Sequence, residues 1–221
     1  MTADAAPRTA LLAGASGLVG EALLRLLLAS GAHAITHALA RRPLRDVQAQ
    51  SRLRVQLVDF NALPDLPHTD DVYIALGTTI KVAGSEAAFR QVDFDAVVNT
   101  ARAARAAGAT RLAVVSALGA DVKSKVFYNR VKGEMQAAVC ALGYTSVVIA
   151  QPSLLLGDRE ALGQAQRSGE LWATRLLSPF MAWVPRGVRP IAASAVANAL
   201  VTAMNEPSAG VRVLSSAQMQ T

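Results

Sequence analysis

The feature that most constrains this chain is a set of three glycines, Gly14, Gly17 and Gly20, within "TALLAGASGLVGEALL" (9–24). The apolar run before them predicts a buried strand, and the apolar spacing after them predicts a helix. At such a junction, G-x-x-G-x-x-G is typical of a loop that binds the phosphates of a dinucleotide. Gly14 would permit the tight turn, Gly17 would leave room for the pyrophosphate, and Gly20 would let the helix pack closely. A glycine-rich turn without a ligand is the alternative.

Apolar β-type segments alternate with helical patterns along most of the chain. Several strands are almost continuously apolar, as expected where helices cover both faces of a parallel sheet. The pattern predicts an α/β fold with a doubly wound, mostly parallel sheet of the Rossmann type. The predicted strands are 9–13, 33–40, 54–58, 71–76, 111–116, 145–150 and 211–214, and the predicted helices are 18–30, 85–107, 128–142 and 193–204.

The domain organisation reads as one unit over residues 1–221, because no linker or repeat interrupts the pattern. The regular alternation ends at about residue 157. Residues 157–190 contain Pro179, Pro185 and Pro190 and no clear strand pattern. We expect this segment to form a small cap on the substrate side.

Composition excludes several other classes of protein. The chain has one cysteine and no Cys/His cluster with metal-ligand spacing, so no metal is expected. No apolar run reaches the roughly 18 residues of a membrane helix, and the N-terminus lacks the pattern of a secretion signal. These features predict a soluble cytoplasmic protein with no membrane association. The net charge of +6 is scattered rather than clustered, so nucleic acid is not an expected partner.

The end of the second predicted strand, "ALARRP" (38–43), bears on the choice of dinucleotide. Proteins that select NAD usually place an acidic residue here to bind the ribose 2′-hydroxyl. This chain has Arg41 and Arg42 and no acid, and guanidinium groups suit a 2′-phosphate. The sequence therefore favours NADP over NAD. The alternative is that one or both arginines simply face water.

The other predicted cofactor contacts also follow strand ends. Asp59 could accept a hydrogen bond from the adenine amine, although a plain strand-end cap explains it nearly as well. Small residues after strand four let the backbone approach a ribose, which makes Gly77 a better candidate than Thr78. The full set adds Ala15, Ser16, Leu18 and Val19 in the glycine turn, Phe60 after strand three, Leu76 after strand four, Tyr128 and Lys132 in the helix predicted over 128–142, and Pro152 after strand six.

A second cluster of candidates lies in "VVSALGADVKSKVFYNRVKGE" (114–134). Tyr128 and Lys132 are four residues apart, so a helix would place them on one face. A nearby ammonium favours the phenolate of a tyrosine, whose pKa is ordinarily about 10, and suits it to general acid–base catalysis. Ser116, at the end of strand five, would hydrogen-bond a substrate oxygen. Ser124 is a rival serine in a polar loop.

Together these motifs resemble the short-chain dehydrogenase/reductase superfamily. The segments "GASGLVG", "ALGTTIKVAGSEAAFRQVDFD", "VVSALGAD", "FYNRVKGE" and "QPSLLLGDRE" are similar, in order, to its atypical extended members of the Tat-interacting-protein type. The resemblance implies a Rossmann-type NADP-binding fold with a short C-terminal cap. It also implies that Ser116, Tyr128 and Lys132 hold the catalytic positions and that Asn99 matches the helix asparagine. The relatives usually have Arg-Pro-Ser where this chain has Gln151-Pro152-Ser153.

The leading functional expectation is an NADP-dependent oxidoreductase acting on a small carbonyl or alcohol. Two alternatives stay open. One is an NADP(H)-binding redox sensor or scaffold without turnover, which would act through a protein partner. The other is an enzyme like the nucleotide-sugar epimerases, for which the cap after residue 157 looks too small. A homodimer is a possible assembly.

Overall fold

The computed structural model describes residues 7–44, 50–156, 185, 187–206 and 208–220. Most of the expected cap lies outside these ranges, so a cap over 157–190 stays a prediction. Two short paired strands, Leu155–Leu156 and Ile191–Ala192, lie on either side of that segment and bring its two ends together. No helix among the described residues is long and apolar enough to span a bilayer.

The main sheet confirms the doubly wound parallel architecture. In chain order the strands are β1 Arg8–Ala13, β2 His33–Ala40, β3 Leu53–Leu57, β4 Asp71–Ile74, β5 Arg111–Val115, β6 Ser146–Gln151, β7 Leu155–Leu156, β8 Ile191–Ala192 and β9 Gly210–Ser215. Seven of them form one sheet in the order β3-β2-β1-β4-β5-β6-β9, and every neighbouring pair is parallel. The strand order reverses direction between β1 and β4, and a crevice at this carboxyl edge is where open α/β sheets bind ligands.

The helices differ from the sequence expectation in two places: a short helix over Ile80–Ala83 was not predicted, and the helix predicted over 85–107 is divided. They are α1 Leu18–Ser30, α2 Ile80–Ala83, α3 Glu86–Arg90, α4 Val97–Ala106, α5 Phe127–Cys140 and α6 Ala193–Asn205. The single helix predicted over 85–107 is two α-helices, α3 and α4, joined by a π-helical turn at Gln91–Ala96. A π turn adds a residue to a helical turn and often marks a functional position.

Two hydrophobic cores cover the two faces of the sheet. Successive side chains of a strand point to opposite faces, so Leu12 packs with α1 and α6 while Leu11 packs with α4 and α5. All four helices present buried apolar stripes to the sheet. This packing fixes the first turn of α1 and the first half of α5 at the carboxyl edge of the strands.

Candidate functional site

The glycine loop lies between β1 and α1, at the carboxyl edge. Gly14 has a φ of +95°, and a Cβ there would lie 2.6 Å from the carbonyl group of Ala75 in the loop after β4. A Cβ on Gly20 would lie only 1.9 Å from the carbonyl oxygen of Gly14. The fold itself therefore requires glycine at both positions.

Gly17 is different. Its φ of −93° and ψ of 166° are open to any residue, and a Cβ there would meet nothing closer than the Gly14 oxygen at 3.4 Å, an ordinary contact. The packing of the protein gives no reason for glycine at this position. The loop thus fits a phosphate-bearing ligand, which would need the bare main chain and the N–H groups at the start of α1.

The four other residues predicted in this loop divide by exposure. Ala15 and Val19 are each 4% exposed and pack in the core, so only their main chain could reach a ligand. Leu18 is partly buried against the same core, and Ser16 is exposed.

The outer strands carry the next set of predicted contacts. Arg41 and Arg42 follow β2 and are both exposed. After β3, the Asp59 carboxylate accepts hydrogen bonds from the main chain and side chain of Asn61, at 2.9 and 3.0 Å. The strand-end cap considered for Asp59 is therefore present. Phe60 is buried in the core between the sheet and α4.

The loop after β4 is tied to a carboxylate that the sequence analysis did not identify. The Thr78 N–H donates to Asp93 Oδ2 at 2.8 Å. A Cβ on Gly77 would lie 3.3 Å from Asp93 Oδ1 and 3.8 Å from Lys132 Nζ. Gly77 is exposed while Leu76 packs against the core, so the loop presents its glycine outward.

Tyr128 and Lys132 lie on the first two turns of α5. The Tyr128 ring packs against Phe89 of α3, with 5.2 Å between ring centroids. Lys132 is buried and its ammonium forms an ion pair with Asp93, with 2.7 Å between Nζ and Oδ1. The structure therefore brings the loop after β4, the π turn and α5 together at Asp93.

Ser116 belongs to a separate hydrogen-bonded chain. Ser116 is 5% exposed, and its hydroxyl accepts from Gln136 Nε2 at 2.6 Å. Gln136 Oε1 in turn accepts from Gln151 Nε2 at 3.2 Å. Since Gln136 is two turns beyond Tyr128 on α5, this chain engages Ser116 on the inner side of the helix. A hydroxyl that accepts one bond keeps its proton for donation.

Three further predicted residues have local roles. Asn99 lies on α4, where its side chain accepts from Arg102 at 3.3 Å. Pro152 is buried, and its carbonyl accepts from the Leu118 N–H at 2.9 Å. The Ser124 hydroxyl accepts from the Val126 N–H at 3.1 Å, just before α5.

The sequence held a signal for the missed carboxylate. Asp93 lies four residues after Phe89 and four before Val97, so it falls on the buried stripe of a helical pattern. A charged residue on such a stripe needs a buried partner. Gln136 carried a weaker signal, since it continues the four-residue spacing of Tyr128 and Lys132.

Comparison with known proteins identifies the family. A family described as NAD(P)H-binding matches residues 14–151. Protein fmp52, mitochondrial, from Emericella nidulans is 32% identical over 176 residues, which cover 75% of this chain and 74% of that protein. Protein HTATIP2 from Rattus norvegicus is 34% identical over 167 residues, 73% of this chain and 66% of that protein.

Solved structures share the fold at low sequence identity. MoeE5 in complex with UDP-glucose and NAD has a TM-score of 0.70 and 19% identity, covering 93% of this chain and 75% of that one. The Helicobacter pylori ADP-L-glycero-D-manno-heptose-6-epimerase has a TM-score of 0.67 and 18% identity, covering 94% and 76%.

The comparisons also correct one prediction. The sequence predicts a cytoplasmic protein, but the relatives from Emericella nidulans, Eremothecium gossypii and Debaryomyces hansenii are all named as mitochondrial proteins. The cytoplasmic assignment is therefore wrong on this comparison. The family assignment is confirmed: with its Rossmann sheet, glycine loop and matched relatives, the chain belongs to the NAD(P)-binding family of atypical short-chain dehydrogenases/reductases that includes the HTATIP2 and FMP52 proteins.

Proposed function

We propose that the protein is an NADP(H)-dependent oxidoreductase that interconverts a small carbonyl compound and its alcohol. The observation that carries this proposal is the arrangement at the carboxyl edge. There, the open main chain at Gly17 and the exposed Gly77 lie on neighbouring loops, and Lys132 is beside Gly77. This is the switch point at which such sheets bind ligands.

The cofactor would lie across these loops. The main chain between Gly14 and Gly20 would bind the diphosphate, and Gly77 and Thr78 would approach the ribose on the nicotinamide side. Arg41 and Arg42 support NADP over NAD, because both are exposed at the end of β2 and can pair with a 2′-phosphate. When bound, the nicotinamide supplies the hydride chemistry.

The chain's own residues would handle the proton and the substrate oxygen. Tyr128 would give or take the proton, and Lys132 would bind the ribose and stabilise the phenolate form of Tyr128. Ser116 would donate its hydroxyl proton to the substrate oxygen, with Gln136 fixing the direction of that donation.

The surroundings favour an apolar substrate. Leu118 and Leu154 follow β5 and β6, lie on either side of the Pro152 loop and are 41% and 39% exposed. Apolar side chains exposed beside a site are suited to bind an apolar ligand. We therefore propose uncharged aldehydes or ketones as the substrate class.

A second candidate is an NADP(H)-binding sensor that acts through a protein partner without turnover. It is favoured by the engagement of two of the three side chains expected at the catalytic positions. Ser116 accepts from Gln136, and Lys132 is paired with Asp93.

The test is to compare turnover with cofactor binding in one set of variants. Tyr128→Phe should lower NADPH oxidation over a panel of small aldehydes and ketones by about 10²–10⁴-fold, the usual contribution of a general acid–base group. NADPH affinity, measured by fluorescence titration, should stay unchanged. Equal losses in both would contradict the assignment of Tyr128, and tight binding with no wild-type turnover would support the sensor.

The same titrations test the cofactor. Replacing Arg41 and Arg42 together by alanine should weaken NADPH binding by about 10- to 100-fold, since hydrogen bonds to charged groups contribute about 1.5–3 kcal/mol. NADH binding should change little. Arg102→Ala, another exposed arginine, is the control. Parallel weakening of both cofactors would contradict the 2′-phosphate assignment.

A further inference from the structure

We propose that Asp93 is a positioning residue. It would hold the Lys132 ammonium and the Gly77–Thr78 main chain as one unit, and its negative charge would set the pH at which Tyr128 gives up its proton. The part that concerns Tyr128 rests on the proposed function. A titration of Tyr128 in the free protein distinguishes failure of this proposal from failure of the proposed function, because it needs neither cofactor nor turnover.

The geometry shows one carboxylate that takes part in an ion pair through one oxygen and accepts a main-chain hydrogen bond through the other. Asp93 Oδ1 lies 2.7 Å from Lys132 Nζ, and Asp93 Oδ2 accepts from the Thr78 N–H at 2.8 Å. The side chains of Asp93 and Lys132 are 1% and 4% exposed. Two charges so deeply buried are tolerated only as a pair. Each therefore fixes the position of the other.

The π turn accounts for how Asp93 reaches this point. The turn spans Gln91–Ala96 and adds a residue to the helical ladder between α3 and α4. It packs against α5, which carries Lys132. Asp93 thus connects the loop that would approach the cofactor to the lysine that would bind it.

The Asp93–Lys132 ion pair should affect the ionisation of Tyr128. A lone ammonium near Tyr128 would strongly favour the phenolate, whereas an ammonium neutralised by Asp93 favours it less. Loss of the Asp93 charge should therefore make Tyr128 ionise at lower pH. Loss of the Lys132 charge should make it ionise at higher pH, because the ammonium that favours the phenolate is then gone.

The other charges packed around this site are compensated or point elsewhere. Arg90 of α3 pairs with Glu134 of α5, and Arg130 lies over the Phe127 ring. On α4, Arg105 is partly buried and donates to the Gly143 carbonyl at 3.1 Å. The other charged side chains on the surrounding elements are exposed: Lys81, Glu86, Asp95, Arg102, Asp121, Lys123 and Lys125. Asp93 is the buried carboxylate that faces Lys132.

The experiment is an ultraviolet titration of tyrosinate in the free protein. The chain has three tyrosines, and burial raises the pKa values of Tyr73 and Tyr144, so Tyr128 should ionise first. Tyr128→Phe, which should lack the first step, confirms that assignment. Asp93→Asn should move the first midpoint to lower pH by about one unit. Asp95→Asn, an exposed acid in the same π turn, is the matched control and should leave it unchanged.

A second variant keeps the proposal testable if Asp93→Asn does not fold. Lys132→Gln should move the same midpoint to higher pH. Unchanged midpoints in the folded variants would overturn the proposal and leave Asp93 with a structural role alone. Asp93→Glu restores the charge and should return the midpoint towards that of the wild type. If these shifts appear and the wild type shows no turnover, the proposed reaction fails while the role of Asp93 stands.

Discussion

The two edges of the sheet each bury a carboxylate, and the two carboxylates are used differently. At the amino edge Asp71 is fully buried and pairs with His33 at 2.7 Å and with Arg111 at 2.6 Å. At the carboxyl edge Asp93 pairs with Lys132 and one main-chain N–H. The interactions are of the same kind, so the difference lies in what surrounds each carboxylate.

The Asp71 cluster joins the starts of neighbouring strands. Arg8 of β1 contributes a second guanidinium at 3.3 Å, and Arg111 also donates to the Met204 carbonyl at the end of α6 at 2.9 Å. The cluster thus links the starts of β1, β2, β4 and β5 with a helix on one face. The two oxygens of Asp71 are shared among residues at the strand starts.

The Asp93 cluster lies among loops instead of strand starts. Its neighbour Gly77 is exposed, and the Tyr128 ring lies on the same helix as Lys132. Parallel strands bring their carboxyl ends, and the loops that follow them, to a common edge. A buried ion pair at the carboxyl edge can position the residues of a binding site. A buried ion pair at the amino edge links strands and a helix and so stabilises the fold.

The largest effect is expected from removing the Asp71 carboxylate. Asp71→Ala leaves two arginines without their counter-charge and the His33 ring nitrogen without its hydrogen-bond partner, and it should lower the free energy of unfolding by about 3–5 kcal/mol. Urea denaturation measures this loss. NADPH affinity of the folded variant should stay unchanged, since the cluster is at the far edge.

The neighbouring acid provides the control for Asp71. Asp70 is partly exposed, and its carboxylate accepts from the Thr9 N–H at 2.7 Å. Asp70→Ala should lower stability by about 1 kcal/mol, the usual value of one hydrogen bond. Equal losses in the free energy of unfolding for the two variants would contradict the view that the Asp71 cluster stabilises the amino edge of the sheet.

Sequence reasoning predicted the sheet well because its signals are local. The apolar runs through Leu11–Leu12 and Val147–Ile149 can be buried only as central strands, and the glycine spacing fixes where β1 ends. The partners of Ser116 and Lys132 were not predictable in the same way. They depend on the docking of α5 against the π turn and β6, which the spacing of one helix does not specify.

The π turn is a second feature that depends on tertiary packing and that the local sequence pattern does not predict. The helical period over 85–107 is real, but the extra residue at Gln91–Ala96 is fixed by tertiary packing around Asp93. The local sign of this π turn in the sequence was Asp93, a charged residue on the buried stripe of the helical pattern. The prediction of a cytoplasmic location was wrong for another reason. Composition and net charge bear on folding and solubility, but they do not specify the compartment to which a protein is targeted.

A smaller effect is expected from two glycines of the carboxyl edge. Gly20→Ala forces a Cβ to within 1.9 Å of a main-chain oxygen and should lower stability by about 1–3 kcal/mol. Gly17→Ala should lower stability by no more than about 1 kcal/mol, because alanine is a poorer helix N-cap than glycine, yet it should weaken NADPH binding. Thermal unfolding and fluorescence titration on both variants test this contrast. If Gly17→Ala bound NADPH as well as the wild type, the phosphates could not lie against that residue.

The smallest effect is expected at the amino edge, from Tyr73. Its side chain is fully buried beside His33, and its hydroxyl has no hydrogen-bond partner among the described residues. Since a buried unpaired hydroxyl is unfavourable, Tyr73→Phe should raise the free energy of unfolding by about 1 kcal/mol. Tyr144→Phe is the control and should lower it, because the Tyr144 hydroxyl donates to the Ala101 carbonyl at 2.6 Å.

Alkaline pH sharpens this last contrast. Burial, followed by the charge of Asp71, raises the pKa of Tyr73, whereas a tyrosine in the unfolded chain ionises near pH ~10. Above that pH the unfolded chain binds fewer protons than the folded one, so wild-type stability falls as pH rises, and Tyr73→Phe removes this contribution. The stability difference between variant and wild type should therefore widen above about pH 10. If Tyr73→Phe instead lost stability at neutral pH as Tyr144→Phe does, the hydroxyl would have a bonding partner, and the amino edge would hold a polar site of its own.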